Sequence, residues 1–183
     1  MVPDLPISTE RLELIPATPA MLASDHGDRS GLSRLLGAAI PAGWPPPLLD
    51  DATLAEFIRI QSEGSDPHFC SWYWILAPHR NGERTPIGSG GSASQPGTSD
   101  TIMIGYSVLD AFQGRGYATE AVRHMIPVLF RDPGVTKIVA TTYPELKASI
   151  RVLEKNGFVP AGTAGTGSGM EEGTLAFVRT RHR

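Results

Sequence analysis

The sequence predicts one α/β domain, of the α+β kind, over residues 1–183. Three observations carry this. Short β-branched or aromatic runs recur between turn residues, amphipathic helical stretches separate them, and 183 residues suit a single hydrophobic core. A composition of 40% hydrophobic and 19% charged residues is that of an ordinary globular chain.

The elements follow in order. Leu12, Leu14 and Ile15, closed by Pro16, read as a first strand. Pro19 to Ala39 is broken by Gly27, Gly31 and Gly37, which predicts two short helices. Three consecutive prolines after Trp44 require an extended loop. Asp50 or Asp51 caps a third helix that runs to Gly64, with Leu54, Phe57 and Ile58 at helical spacing. Trp72 to Ala77 is a strand, Asn81-Gly82 its hairpin turn, and the partner strand starts near Thr85. Because Ile87 to Ser94 is glycine-rich, that partner needs close neighbours to hold it.

A further strand spans Thr101 to Leu109, and a helix spans Tyr117 to Phe130. Ala118, Ala121, Val122, Met125, Ile126 and Leu129 make its apolar stripe, and Pro127 is expected to kink or shorten its last turn. Lys137 to Thr142 is a strand, Leu146 to Asn156 a helix stopped by Gly157, and Phe158 to Thr163 another strand. The last strand covers Gly173 to Arg179, after a glycine-rich loop over Gly162 to Gly169.

The formal net charge is -3, with no dense Lys/Arg block, so nucleic acid is not an expected partner. With Cys70 as the sole cysteine, neither an internal disulfide nor a cysteine-built metal cage can form, and no metal is expected. The first ten residues lack the basic and apolar stretches of a signal peptide or membrane span, so no membrane role and a cytoplasmic location are expected.

Chemistry concentrates in residues 104–122, where a strand, a glycine loop and an amphipathic helix follow one another directly. The first N–H groups of a helix have no internal partners and sit at the positive end of its dipole, which suits a diphosphate. Gly114 and Gly116 let the main chain approach phosphate oxygens, and Arg115 adds charge; a strand-to-helix turn also uses glycines for packing alone. Neither a phosphate-loop GxxxxGK[ST] nor a helix-opening GxGxxG is present, so ATP and NAD recede.

Gln113-Gly114-Arg115-Gly116-Tyr117-Ala118 resembles the [QR]-x-x-G-x-[GA] loop of the GNAT acetyltransferase superfamily. Residues 148–158, ASIRVLEKNGF, are similar to the signature of its Rim-type branch, whose members acetylate ribosomal-protein N-termini. Thr9-Glu10-Arg11-Leu12 and Gly105-Tyr106 resemble that branch's start and central strand. The resemblance implies a mixed, mostly antiparallel twisted sheet of about seven strands with helices on both faces, splayed at the fourth and fifth strands. It also implies acetyl-CoA as co-substrate, bound by residues 113–118, with the main chain of Ser107, Val108 and Leu109 on the pantetheine arm. A backbone N–H there would polarise the thioester.

The implied reaction is direct attack of a primary amine, a protein N-terminus or a small amine, in a ternary complex, by a monomer or homodimer. Many members protonate the departing thiolate from a tyrosine four residues before the last motif's glycine. Here that position is Leu153, and Ser149, one turn earlier on the same face, becomes the candidate catalytic donor, with a plain helix serine as the alternative. Leu146 replaces the branch's usual Asn, and Met103 stands where a carboxylate often accepts the amine proton. These departures leave a non-catalytic acetyl-CoA-binding module as a competing function. Glu120 reads as structural, while Glu63, Asp66 and His68 lie near the expected mouth. Trp44 either lines the acceptor pocket or packs as a rigid indole.

Overall fold

The computed structural model describes residues 5–77, 82–164 and 171–181. The Asn81 end of the expected hairpin turn, and residues 165–169 of the expected glycine-rich loop, lie outside them. In chain order the elements are β1 (Ile7–Ser8), β2 (Leu12–Pro16), α1 (Pro19–Gly27), α2 (Arg29–Leu36), α3 (Asp51–Glu63), β3 (Cys70–Leu76) and β4 (Thr85–Ser94). There follow β5 (Thr101–Val108), α4 (Tyr117–Leu129), β6 (Lys137–Thr142), α5 (Lys147–Lys155), β7 (Val159–Thr163) and β8 (Leu175–Thr180).

Local chemistry places the helix ends where the sequence put them. The Thr18, Asp28 and Asp50 side chains accept from the backbone N–H three residues on, at 3.2, 2.9 and 2.8 Å, and so cap α1, α2 and α3. Pro127 does not end α4 at once. Only its own N–H is missing, and the helix continues to Leu129, with the Phe130 N–H still donating to the Ile126 carbonyl at 3.0 Å.

Eight strands form one sheet in the order β1-β2-β3-β4-β5-β6-β8-β7. The strand beyond the expected seven is the two-residue β1, which pairs Ile7 with Leu14 and is too short to leave a periodic signal. All neighbours are antiparallel except β5 and β6. Those two pair only from Thr101 to Met103, against Lys137 to Val139, and then part, so the sheet splays between the fourth and fifth of the expected strands.

Helices cover both faces, which explains why β3 is buried along nearly its whole length. Trp72 and Trp74 face one core with Leu14, Ala121 and Met125, beneath α4 and α5. Tyr73 and Ile75 face the other with Leu22, Leu32 and Leu54, beneath α1 to α3. The glycine-rich β4 answers the large indoles: a Cβ on Gly90 would come within 2.6 Å of the Trp74 ring. Trp44 is 2% exposed and its Nε1 donates to Asp25 at 2.7 Å, so the packed-indole alternative holds.

Candidate active site

The loop after β5 is built as an anion cradle. Gly114 (φ 74°) and Gly116 (φ 82°) both adopt the left-handed conformation that side chains disfavour. Gly116 is the N-cap of α4 and supplies no side-chain cap, so the first-turn amides of Tyr117, Ala118 and Thr119 are left for a ligand. A Cβ on Gly114 would meet nothing within 4 Å, which leaves open space over the loop. Arg115 is exposed there. Gln113 is turned inward: its Nε2 donates to the Val108 carbonyl at 3.0 Å and to Asp110 at 2.9 Å, holding the loop to the end of β5.

A buried clamp fixes this loop from behind. Glu120, 7% exposed on α4, accepts from the Thr9 hydroxyl (2.6 Å), the Arg11 amide (2.7 Å) and the Arg11 Nε (2.6 Å). Arg11 then donates to the Arg115 carbonyl at 3.0 Å and lies 4.5 Å over the Tyr117 ring. The similarity of residues 9–12 to the Rim-type start thus acquires a physical purpose. Burial alone would raise the Glu120 carboxyl, but the Thr9 and Arg11 hydrogen bonds and charge together hold it below the usual carboxylate range.

We predict that Glu120→Gln costs about 2 kcal/mol at neutral pH, because two donors on Arg11 lose a charged acceptor. A carboxylate depressed by folding contributes stability above its unfolded pKa and loses it as pH falls through the folded value. The difference between parent and variant in urea unfolding should therefore shrink in acid. A gap that stayed constant from pH 7 to pH 3 would refute this account of the clamp.

The splay exposes one edge of β5. The Leu109 N–H donates to the Ile87 carbonyl at 2.8 Å, so by strand alternation the main chains of Ser107 and Leu109 are used by β4. The same alternation turns Ile104, Tyr106 and Val108 toward the gap beyond Met103. This register bears on the expected pantetheine contacts. Of Ser107, Val108 and Leu109, only Val108 presents its main chain to the open edge, and its carbonyl is already taken by Gln113. Spacing along a strand cannot reveal this, since register decides which groups are free.

Across the gap stands α5. Leu153 is fully buried in the core, so the position where many relatives carry a tyrosine is a packing residue here. Ser149 is half-buried and its Oγ lies 3.1 Å from the Tyr106 hydroxyl, whose single proton can go either to that Oγ or to the Ser149 carbonyl at 3.3 Å. The Tyr106 ring stacks on Trp74 at 6.4 Å. Burial, only partly offset by the bond to Ser149, pushes the Tyr106 phenol up to about 12. Sequence reasoning had Tyr106 only as half of the Gly105-Tyr106 match. Leu146 sits at the N-cap of α5, 47% exposed and with no side-chain cap bond.

A cavity of about 390 Å³ opens on the α3 side of the splay. Ser89, Gly105 and Ser107 form part of its floor, and Met103, Phe57 and Phe69 part of its walls. Glu171, which nothing in the sequence singled out, also lines it. Cys70 is a buried lining residue. The other polar candidates are engaged elsewhere. Asp66 accepts from the Ser94 hydroxyl (2.6 Å) and amide (2.8 Å), His68 Nδ1 lies 2.9 Å from Ser94 Oγ, and Glu63 pairs with Arg59 at 2.5 Å. Among the described residues no His/Cys/Asp/Glu group could hold a metal ion, and no helix is long and apolar enough to cross a membrane.

Known proteins converge on this geometry. The acetyltransferase (GNAT) domain family matches residues 11–159. The chain is 41% identical over 83 residues to a kanamycin resistance protein of Rhizobium radiobacter, covering 43% of this chain and 77% of that protein. It is 42% identical over 72 residues to an aminoglycoside N(6')-acetyltransferase type 1 of Klebsiella pneumoniae, but that spans only 37% of this chain and 36% of the enzyme. An aminoglycoside acetyltransferase crystallised in complex with coenzyme A superposes with a TM-score of 0.61 at 26% identity, covering 93% of this chain and 95% of that one. A ribosomal-protein-alanine acetyltransferase of Vibrio fischeri shares the fold, with a TM-score of 0.61 at 17% identity and 97% of each chain covered. Since the family match takes in the glycine loop, the splayed strand and the Ser149 helix in one span, the chain belongs to the GNAT acetyltransferase family, which moves acetyl groups from acetyl-CoA to amines.

Proposed function

We propose that this chain, acting as one domain, transfers the acetyl group of acetyl-CoA to a primary amine by direct attack in a ternary complex, and that it stands nearest the Rim-type branch. The observation that carries the reading is the Tyr106–Ser149 pair, 3.1 Å apart, at the open edge of β5. The branch assignment is supported by the residue 148–158 signature and by the Thr9 and Arg11 clamp on Glu120. The aminoglycoside relatives support an amine acceptor as a class.

Each residue has a defined task. The glycine loop and the first amides of α4 hold the pyrophosphate, with Arg115 beside them. The open edge of β5 takes the pantetheine arm as an added strand, and an N–H of Tyr106 or Val108 polarises the thioester carbonyl. The amine lone pair attacks that carbon, the C–S bond breaks with its electron pair leaving on sulfur, and the nitrogen gives its extra proton to solvent water, from which the released thiolate can take one up.

Magnitudes decide what Ser149 and Tyr106 then do. A thiol titrates near 8.5, about 3.5 pH units below the Tyr106 phenol, so full transfer of the phenolic proton is uphill by roughly 5 kcal/mol. Tyr106 therefore stays protonated. When its one proton turns from the Ser149 carbonyl to Ser149 Oγ, the serine proton is free to face the leaving thiolate, and the pair stabilises charge by hydrogen bonding.

Thiol release from acetyl-CoA, measured with an amine panel and mass spectrometry of the product, tests the proposal. Turnover that depends on added amine supports it. Tight coenzyme binding with no turnover of any amine favours the non-catalytic module instead.

A further inference from the structure

The acceptor cavity carries its own chemical preference. Among the described residues that line it, Glu171 is the sole charged one. One side is apolar, with Leu48, Leu49, Phe57, Ile60, Phe69 and Met103, while the sheet side adds only neutral hydroxyls such as those of Ser89 and Ser107. The Phe57 and Phe69 rings meet edge-on at 5.2 Å, so they touch each other and together present one aromatic wall against which a ring or a branched aliphatic group can pack. At the lip, Leu48 is 75% exposed and held at φ 71°, a conformation that costs a non-glycine residue energy. An exposed leucine held in that conformation at a cavity mouth points to an apolar ligand.

Size and charge point the same way. At about 390 Å³ the cavity lies at the low end of ligand pockets, which run from about 300 to 1,000 Å³, and it must also admit the acetyl end of the coenzyme. A polycationic sugar would bring several ammonium groups to a lining that offers one carboxylate, and the remaining charges would lose hydration with only neutral hydroxyls in return. A single ammonium is matched by Glu171 at the rim, where the Tyr143 hydroxyl also bonds that carboxylate.

The apolar walls also answer the missing base. Amide formation needs the neutral amine, yet Met103 on the wall cannot take its proton. Desolvation disfavours an ammonium ion and lowers its pKa, so an amine drawn past Glu171 into this cavity gives up its proton to solvent water or buffer as it enters. A hydrophobic wall thus replaces a carboxylate by making the acceptor a weaker base.

Resting on the acetyl-transfer reading above, we propose that the acceptor is a singly charged primary amine on an aromatic or branched aliphatic body, packed against the Phe57–Phe69 wall with Glu171 at the rim. The amine can be free or the N-terminus of a chain with an apolar first residue, and the test separates these sources.

The experiment compares kcat/KM for 2-phenylethylamine, a Phe-Ala-Ala peptide amide and kanamycin, alongside acetyl-CoA affinity by calorimetry. One or both apolar amines should exceed kanamycin by about 100-fold, the scale that a filled hydrophobic pocket gives. Phe57→Ala, with Phe57→Leu as the milder change, should raise KM for the preferred amine by about 10-fold and leave acetyl-CoA affinity unchanged. Kanamycin turned over best would overturn the proposal while leaving acetyl transfer standing. No turnover of any of the three while another amine of the panel is acetylated would overturn this inference alone, and no turnover of any amine, with coenzyme bound, would overturn acetyl transfer with it.

Discussion

Gly116→Val is expected to weaken acetyl-CoA binding by about 100-fold, the largest single effect predicted for this protein. Gly116 lies at φ 82°, where a β-branched residue pays roughly 1–3 kcal/mol of backbone strain. That strain would be relieved by rotating the N-cap of α4, which turns the free amides away from the pyrophosphate. The new Cβ also comes 3.5 Å from the Arg11 guanidinium, so Val branches press on the clamp that fixes the loop. Gly116→Ala keeps the strain without the branches and should fall between parent and Val. Calorimetry on a variant whose far-ultraviolet circular dichroism matches the parent's reads this directly. Unchanged affinity in such a protein would remove the loop from the coenzyme site.

Tyr106→Phe and Ser149→Ala should each lower kcat by about 10- to 100-fold, the size seen when one donor to developing charge is removed. Acetyl-CoA affinity should change little, because the ground-state thioester sulfur carries no charge for these donors to meet. The double variant should be no slower than the worse single one, since Tyr106 acts through Ser149 and the two form one unit. A merely structural Tyr106 gives a different pattern: a lower melting temperature, and losses that multiply in the double variant. Ser149→Thr retains a hydroxyl and should recover part of the rate. Multiplicative losses would remove the relay, and an unchanged kcat in Ser149→Ala would remove its donor.

The fold was legible where the signal is local. The cap at Asp50, the apolar stripe of α4 and the β-branched run of β6 each report on neighbours a few residues apart, and apart from β1 and the end of α2 the observed elements begin and end within two residues of expectation. The glycine loop over residues 113–118 was legible for the same reason, as its two left-handed glycines lie within six consecutive residues. Tyr106 and Glu171 were not, because each gains meaning only from a partner far along the chain: Ser149 on α5 for one, and the walls from α3 and β5 for the other.

By itself, then, the sequence determined the elements, the glycine loop and the absence of a tyrosine at position 153, since backbone propensity and side-chain identity are properties of short stretches. Tertiary structure alone decided three things: that β5 and β6 part after Met103, that Val108 rather than Ser107 or Leu109 offers its main chain to the gap, and that Tyr106 meets Ser149. Register and crossover set all three. They arise from pairing between strands, where a shift of one residue exchanges every inward and outward group.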